Sequence, residues 1–565
     1  MKKEIRKEYD RWLKNALLDE EVVRELKEMQ RDEKKAEEAF FTELSFGTGG
    51  LRGILGAGTN RMNVYTVAKA TQGVAEYINQ TFAEKERKVV LGYDSRKNSY
   101  RFACVAAEVL AGNGLVAYLY PQITPTPCVS FAVRSLGCCA GIMITASHNP
   151  ATYNGYKVYD KNGCQITESA AKEIYERIKA TDCFAGVKRK CFSEGMAKDC
   201  IRYVPNEVFD AYIEAVKTQT VNGEVEADKS ISIVYSPLNG TGLIPVLRVL
   251  KETGYQNVTV VREQSFPDQN FSTCPYPNPE EASAMELGVR YAQSLQADLF
   301  LATDPDCDRV GLVVKNENGE YVRLSGNETG VLLFDYICAR LKERGCLPKD
   351  GRLIKSIVTT DMGERIACFY GLQTQNVLTG FKYIGEKIGE WEKAGRAESF
   401  VFGFEESCGY LRGSYVRDKD GVLGVLLVCE MAAYYAAKKI SLAQKMRELY
   451  EKYGYTLNSL YAYQGKDSSD LEKIRAAMDK LRTGEFAFFE PDSVKKIDYL
   501  LGYDGFPKSD VLKFVIDGKH SVIVRPSGTE PKLKIYLSVC ENTKDKANQI
   551  ELVFQRKIRE FIKTI

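Results

Sequence analysis

The chain has 565 residues, 44% hydrophobic and 27% charged, a composition that suits a globular protein of about four domains at roughly 100–200 residues each. Its 78 basic and 76 acidic residues leave a formal net charge of +2, which gives no electrostatic footprint for nucleic acid or for an acidic membrane surface. No run approaches the ~18–20 apolar residues that span a bilayer, and residues 1–31 are dense in Lys, Glu, Asp and Arg without an apolar leader core, so a cytoplasmic location is expected. Those first 31 residues read as amphipathic helix, with Trp12, Leu13, Leu17 and Leu18 on the buried face. Strands are expected at 89–92, 116–120 and 140–145, with a helix over 100–113 between the first two. The cycle restarts with strands at 230–235 and 258–261 around a helix at 243–253. It restarts again with strands near 352–359 and 374–378 around a helix that follows Asp361. This βαβ alternation predicts α/β layers with largely parallel strands. Three such units, roughly 120–130 residues apart, predict three related mixed α/β domains. Residues 274–279, rich in Pro and Asn, predict a surface loop. After Tyr453 a strand and a helix lead to short strands at 514–516, 521–524 and 534–539 and a closing helix at 544–562, which predicts a smaller C-terminal α+β domain.

Two histidines, His148 and His520, exclude any multi-histidine metal site and leave histidine-based acid–base schemes almost no candidates. The 16 cysteines contain no Cys-x-x-Cys pair and lie scattered in apolar segments, so they are expected to be reduced, buried small residues.

Five local patterns carry chemistry. Thr145-Ala146-Ser147-His148-Asn149-Pro150 ends an apolar strand, and Asn-Pro forces a turn there. The serine is thereby held on a sharp loop that suits a nucleophile or a phosphate carrier, although plain loop chemistry gives the same string. Asp304-Pro305-Asp306-Cys307-Asp308-Arg309 lies between the apolar runs 299–302 and 310–314. Three carboxylates at alternate positions can converge on one hard cation, or form a solvated acidic turn. An EF-hand would need glycine at loop position 6 and glutamate at 12; Arg309 and Lys315 stand there, so Mg²⁺ with open positions is the better fit. Arg525-Pro526-Ser527-Gly528-Thr529-Glu530-Pro531-Lys532 joins two strands and can close backbone N–H groups around an oxyanion, or serve as a hairpin loop. Gly403-Phe404-Glu405-Glu406-Ser407 suits adjacent sugar hydroxyls or an ordinary strand-end turn, and Arg417-Asp418-Lys419-Asp420-Gly421 follows it. Gly47-Thr48-Gly49-Gly50-Leu51-Arg52-Gly53 is no dinucleotide fingerprint, because Arg52 stands where the last glycine is required, and no P-loop Gly-Lys follows.

The Thr145–Pro150 hexapeptide resembles the signature of the α-D-phosphohexomutases, and the other motifs follow in that family's order from about residue 46 to 536. The resemblance implies that Ser147 carries a phosphoryl group and that Asp304, Asp306 and Asp308 bind Mg²⁺, with the phosphoserine as fourth ligand. It implies that Arg525, Ser527, Gly528 and Thr529 grip the phosphate that is not transferred. Glu405 and Ser407 match residues that bind sugar hydroxyls, and Thr379 and Gly380 lie in a loop that bears on substrate choice. Arg52 matches an active-site arginine and Lys157 a lysine close to the phosphoserine, and Arg309 is expected to bind substrate. Further matches are 93–96, 124–127 and 154–157. The implied architecture is four domains around a central cleft: 1–207 with the N-terminal helices and the phosphoserine, 208–325 with the metal loop, 326–452 with the sugar loop, and 453–565 with the phosphate loop. The implied activity is the interconversion of glucose 1-phosphate and glucose 6-phosphate, with glucose 1,6-bisphosphate as intermediate and activator. Mannose- and pentose-phosphate mutases and glucose 1,6-bisphosphate synthase share the same motifs. Outside the family, a non-catalytic sugar-phosphate-binding protein and a Mg²⁺-dependent phosphatase are the rivals. The implied partners are small sugar phosphates, with no nucleic acid or membrane, and the protein is expected to be a monomer or weak homodimer. Some relatives carry histidine two positions beyond the sugar-loop serine; here that position is Gly409. Lys419, Lys157 and His148 therefore remain the candidate acids or bases, and a lysine near Arg52 and Arg309 is expected to have a lowered pKa.

Overall fold

A computed structural model describes residues 2–47, 49–223, 227–465, 469–485, 488, 494–527 and 532–565. Four sheets organise them. The first runs Gly50–Ile54, Tyr153–Asp160, Ala140–Ile144, Lys88–Tyr93, Val116–Leu119, Ile201–Tyr203. The second runs Tyr321–Leu324, Val310–Lys315, Leu299–Thr303, Ile233–Ser236, Val258–Val260, and the third Gln373–Val377, Arg352–Ser356, Phe400–Glu405, Gly409–Leu411. All three share one plan: parallel strands with crossover helices, and an antiparallel hairpin on one side. The strands are thus mixed. The hairpins matter for function, because each of the first three candidate loops is the turn that follows an interior strand, Ala140–Ile144, Leu299–Thr303 or Phe400–Glu405, and leads into its antiparallel partner. The fourth sheet is antiparallel throughout, from Tyr455–Gln464 through Lys532–Glu541, His520–Pro526 and Leu512–Ile516 to Val494–Asp498, and it packs around its own core.

The N-terminal segment forms three helices, Lys3–Asn15, Glu20–Met29 and Glu33–Phe40. Asp19 and Asp32 explain the breaks: each accepts hydrogen bonds from backbone N–H groups of the next helix and restarts it. Trp12 is fully buried, edge-on to Phe40, Tyr65 and Phe184 at 5.4–5.6 Å. Leu13 is half-buried. Leu17 and Leu18, expected on the buried face, are 68% and 70% exposed, because the first helix ends before them. The 274–279 segment also departs from a plain surface loop. Cys274 and Asn278 are buried while Tyr276 stands out, so the strap is anchored at both ends and presents its tyrosine.

The helix Gly421–Ala437 is apolar apart from Glu430, which accepts from the Val221 and Asn222 N–H groups, and is almost wholly buried. No single helix among the described residues is long and apolar enough to cross a membrane. Asp420 caps this helix through the Val422 and Leu423 N–H groups and also accepts from the hydroxyls of Tyr212 (2.9 Å) and Tyr415 (2.7 Å). Asp420→Ala is therefore expected to cost about 3 kcal/mol of stability, from a lost cap and two tyrosyl groups without their acceptor. Urea unfolding measures it, and a loss below about 0.5 kcal/mol, the scale of an ordinary surface substitution, would contradict the assignment.

Candidate active site

Ser147 follows the buried strand Ala140–Ile144 and adopts φ +51°, a left-handed conformation that lifts its side chain out of the sheet. Local contacts fix this turn. The Ser147 N–H donates to Thr145 Oγ1 at 2.8 Å. The buried Arg96 guanidinium donates to the carbonyls of Ser147, Asn149 and Pro150, the last at 2.8 Å. Ser147 Oγ donates to Asp304 Oδ2 at 2.7 Å and lies 3.2 Å from His148 Nδ1.

Asp304, Asp306 and Asp308 stand on the turn between the antiparallel strands Leu299–Thr303 and Val310–Lys315, each at most 1% exposed. One oxygen of each lies within 4.8 Å of the others. Asp304 Oδ1 is tied to the N–H groups of Asp308 and Arg309 at 3.0 Å, and Thr126 Oγ1 donates to Asp306 Oδ2 at 3.0 Å. Among the described residues, Asp306 Oδ1 and Asp308 Oδ1 are buried without a hydrogen-bond partner, Asp308 Oδ1 having only Arg309 Nε at 4.0 Å. Buried anionic oxygens left unpaired are costly, so this donor set fits a small hard cation. Burial, with Asp306 and Asp308 alongside, pushes the Asp304 carboxyl well above its usual range. Burial also pushes Asp306 up, but Lys157 beside it outweighs that and holds it low.

These two loops form the floor of a cleft of about 740 Å³. Its walls bring together Arg52, His148, Lys157, Arg309, Thr379, Gly380, Glu405, Ser407, Lys419 and Arg525 from all four sheets. Arg52 Nη1 donates to Asn149 Oδ1 at 3.0 Å. Lys157 Nζ lies 2.8 Å from Asp306 Oδ2, and Lys419 Nζ 2.9 Å from Asp308 Oδ2. Glu405 accepts from the Gly380 N–H at 2.8 Å, and the Thr379 hydroxyl is buried with no partner among the described residues. Ser527 is not among the cleft-lining residues; its N–H donates to the Lys532 carbonyl at 2.7 Å. Gly528 and Thr529 lie outside the described residues, as does Thr48 of the glycine-rich segment.

The expected lowering of a lysine pKa is overturned. Burial disfavours both ammonium groups, but Asp306 and Asp308 around Lys157, and Asp308, Asp418 and Glu405 around Lys419, outweigh it and raise them. For Lys419, the charge of Arg309 works the other way but is the weaker influence. His148 goes the other way: burial, then Arg309 and Arg52, push it well below the usual range, so its imidazole is neutral. Burial and the charges of Glu405 and Glu280 push Glu406 up to about 7. The second histidine, His520, packs in the C-terminal core, accepting from the Cys540 N–H at 3.2 Å.

Sequence reasoning missed three sets of residues here. Tyr276, Asn278 and Glu280 reach the cleft from the strap, and Glu280 Oε1 holds Arg309 Nη1 at 2.5 Å. Lys534 and Tyr536 line the cleft beside Arg525, and the two-residue spacing from Lys532 puts all three on one strand face. Asp418 backs Lys419 and accepts from the Tyr159 hydroxyl at 2.9 Å.

Models of the phosphoglucomutase/phosphomannomutase α/β/α domains I, II and III match residues 43–183, 210–319 and 325–453. The phosphoglucomutase of Staphylococcus saprophyticus is 34% identical over 553 residues, which is 96% of this chain and 98% of the relative. That of Staphylococcus haemolyticus is 35% identical over 517 residues, 89% and 91% of the two chains. Among solved structures, parafusin, a phosphoglucomutase from Paramecium in its open form, shares the fold at a TM-score of 0.67 and 18% identity, over 92% of this chain and 96% of that one. A phosphoglucomutase/phosphomannomutase family protein from Burkholderia thailandensis does so at 0.65 and 19%, over 91% and 97%.

Proposed function

The chain belongs to the phosphoglucomutase/phosphomannomutase family of phosphoryl-transferring enzymes, and we propose that it is a cytoplasmic phosphoglucomutase interconverting glucose 1-phosphate and glucose 6-phosphate. The observation that carries the proposal is the Ser147 hydroxyl, held on a left-handed turn 2.7 Å from Asp304 at the floor of a four-walled cleft. The curated relatives at 34–35% identity support the hexose named.

In this reading Ser147 carries a phosphoryl group at rest. Glucose 1-phosphate binds with its phosphate against Arg525, Lys532 and Lys534, with Ser527, Gly528 and Thr529 completing the grip, and with sugar hydroxyls at Glu405 and Ser407. Its 6-hydroxyl attacks the phosphorus: the O6–P bond forms, the Oγ–P bond breaks, and the hydroxyl proton ends on the freed Ser147 Oγ, which His148 Nδ1 faces at 3.2 Å. The bound glucose 1,6-bisphosphate then turns end for end. Its 1-phosphoryl passes back to Ser147 and glucose 6-phosphate is released. Asp304, Asp306 and Asp308 would hold Mg²⁺, which when bound offsets negative charge on the phosphoryl oxygens. Lys157, Lys419 and Arg309 set largely desolvated positive charge around the same oxygens, and Arg52 adds a further charge from the exposed side of the cleft. Lys419, held charged by its carboxylates, acts as proton donor and charge partner. Neutral His148, against Ser147 Oγ, is free to share that hydroxyl's proton. The walls come from different sheets, so the turn of the intermediate calls for opening by the C-terminal domain.

A ³¹P NMR time course tests the reading, with Mg²⁺, a trace of glucose 1,6-bisphosphate and equal glucose, mannose and deoxyribose 1-phosphates. The expected result is fastest conversion of the glucose ester with no free phosphate. Fastest conversion of the pentose ester would move the substrate but keep the chemistry. Release of phosphate would make the protein a phosphatase, and conversion of no ester would overturn the catalytic reading.

A further inference from the structure

Gly409 opens the short strand Gly409–Leu411 and sits directly opposite Glu405 across the sugar loop. It is not among the glycines with positive φ, so its backbone conformation does not ask for glycine. Its space does. A Cβ there would stand 2.3 Å from Cδ of Lys419 and 3.3 Å from that lysine's Cβ and Cγ, well inside contact distance. The Lys419 stem passes over the bare backbone of Gly409 and delivers its ammonium to Asp308 on the metal loop, at 2.9 Å.

The lysine cannot step back. Its own N–H is bound by Asp418 Oδ1 at 2.9 Å, and Asp418 is held by the Tyr159 hydroxyl from the first sheet. The next residue, Asp420, donates its N–H to the Tyr410 carbonyl at 3.0 Å, stitching this loop to the Gly409 strand. Before it, the Arg417 N–H donates to Ser130 Oγ at 2.9 Å. With the backbone pinned on both sides, any side chain at 409 must push the stem aside and take the ammonium away from Asp308.

We propose that Gly409 is a positioning residue whose missing side chain forms the notch that threads Lys419 from the sugar loop to the metal loop. A side chain at 409, imidazole included, and a lysine stem at 419 exclude one another. The inference rests on the proposed part of Lys419 in phosphoryl transfer, but its steric core does not.

The test is a cycle of Gly409→Ala, Lys419→Met with its slimmer requirement for charge removed, and Gly409→Ala with Lys419→Ala, alongside Lys419→Ala alone. With the best sugar phosphate, Gly409→Ala and Lys419→Met are each expected to lower kcat about 100-fold, the scale of a lost proton-transfer group, with KM changed less than about threefold. In the Lys419→Ala background, Gly409→Ala should change kcat no further, because it acts only through the lysine. Melting temperatures read the same coupling without substrate: Gly409→Ala should lower Tm with lysine present and lower it clearly less with alanine at 419, where only the 3.3 Å contact to Cβ is left. Equal Tm loss in both backgrounds, or full kcat in Gly409→Ala, overturns the notch. If no ester is turned over but the Tm coupling holds, the functional reading fails and the notch stands.

Discussion

Ser147→Ala is expected to fold normally and to lose turnover by roughly 10⁴-fold or more, the scale seen when a covalent nucleophile is removed. The contacts that shape its turn are backbone contacts: the N–H to Thr145, and the carbonyl to Arg96. Alanine keeps them all and meets the same left-handed φ. What it removes is one oxygen, the one that donates to Asp304 at 2.7 Å. Stability should therefore stay within about 1 kcal/mol of the parent. Intact-mass spectrometry supplies the second readout: the parent should carry one phosphoryl group after incubation with glucose 1,6-bisphosphate, and the variant none. A variant that retains more than about a hundredth of parental kcat would remove Ser147 from the reaction, since no rescue of a lost carrier reaches that level.

The sequence made the local parts of this molecule legible and the convergent parts obscure, for physical reasons. Strands buried on both faces, such as Ala140–Ile144 and Leu299–Thr303, are uninterrupted apolar runs and read easily. Tyr153–Asp160 scatters Asn, Gly, Lys and Asp among its aromatic residues without a period of two, and Val494–Asp498 contains two lysines on an edge, so neither announces itself. The active loops were visible because each gathers its chemistry within six or eight residues. The meeting of Ser147 with the aspartates was implied only by the family resemblance, and that of Tyr159 with Asp418 not at all, since both pairs are brought together by packing between sheets that no periodicity encodes. The charge state of Lys419 illustrates the difference. Neighbouring arginines suggested a lowered pKa, but the decisive neighbours are the carboxylates of Asp308, Asp418 and Glu405, and only their distances reveal the sign.

Asp304→Asn should separate function from stability at the acidic loop. With all three ionised, these buried carboxylates, with oxygens within 4.8 Å, would repel one another by about 3 kcal/mol per pair at an effective dielectric of about 20, and Lys157 and Lys419 offset part of it. Asparagine keeps an oxygen for the N–H groups of Asp308 and Arg309 and removes the charge. Turnover should fall by about 10³, in line with loss of electrostatic stabilisation at the reacting phosphoryl group. Stability of the chelator-treated protein should move in the opposite direction. Burial raises the Asp304 carboxyl in the fold, so the native state holds that proton more tightly than the unfolded chain. The parent therefore loses stability as pH climbs above the unfolded carboxyl value of about 3.9, and the variant, with nothing to titrate there, does not. The variant's Tm in chelator should match the parent's near pH 4 and exceed it increasingly toward pH 7. Added Mg²⁺ reverses the order. The parent gains about 2.7 kcal/mol at a hundredfold excess over Kd, while the variant, one ligand short, gains little. A variant that melts below the parent in chelator at pH 7 would mean that the three carboxylates are held for structure. Equal Mg²⁺ stabilisation of both proteins would take Asp304 out of the metal site.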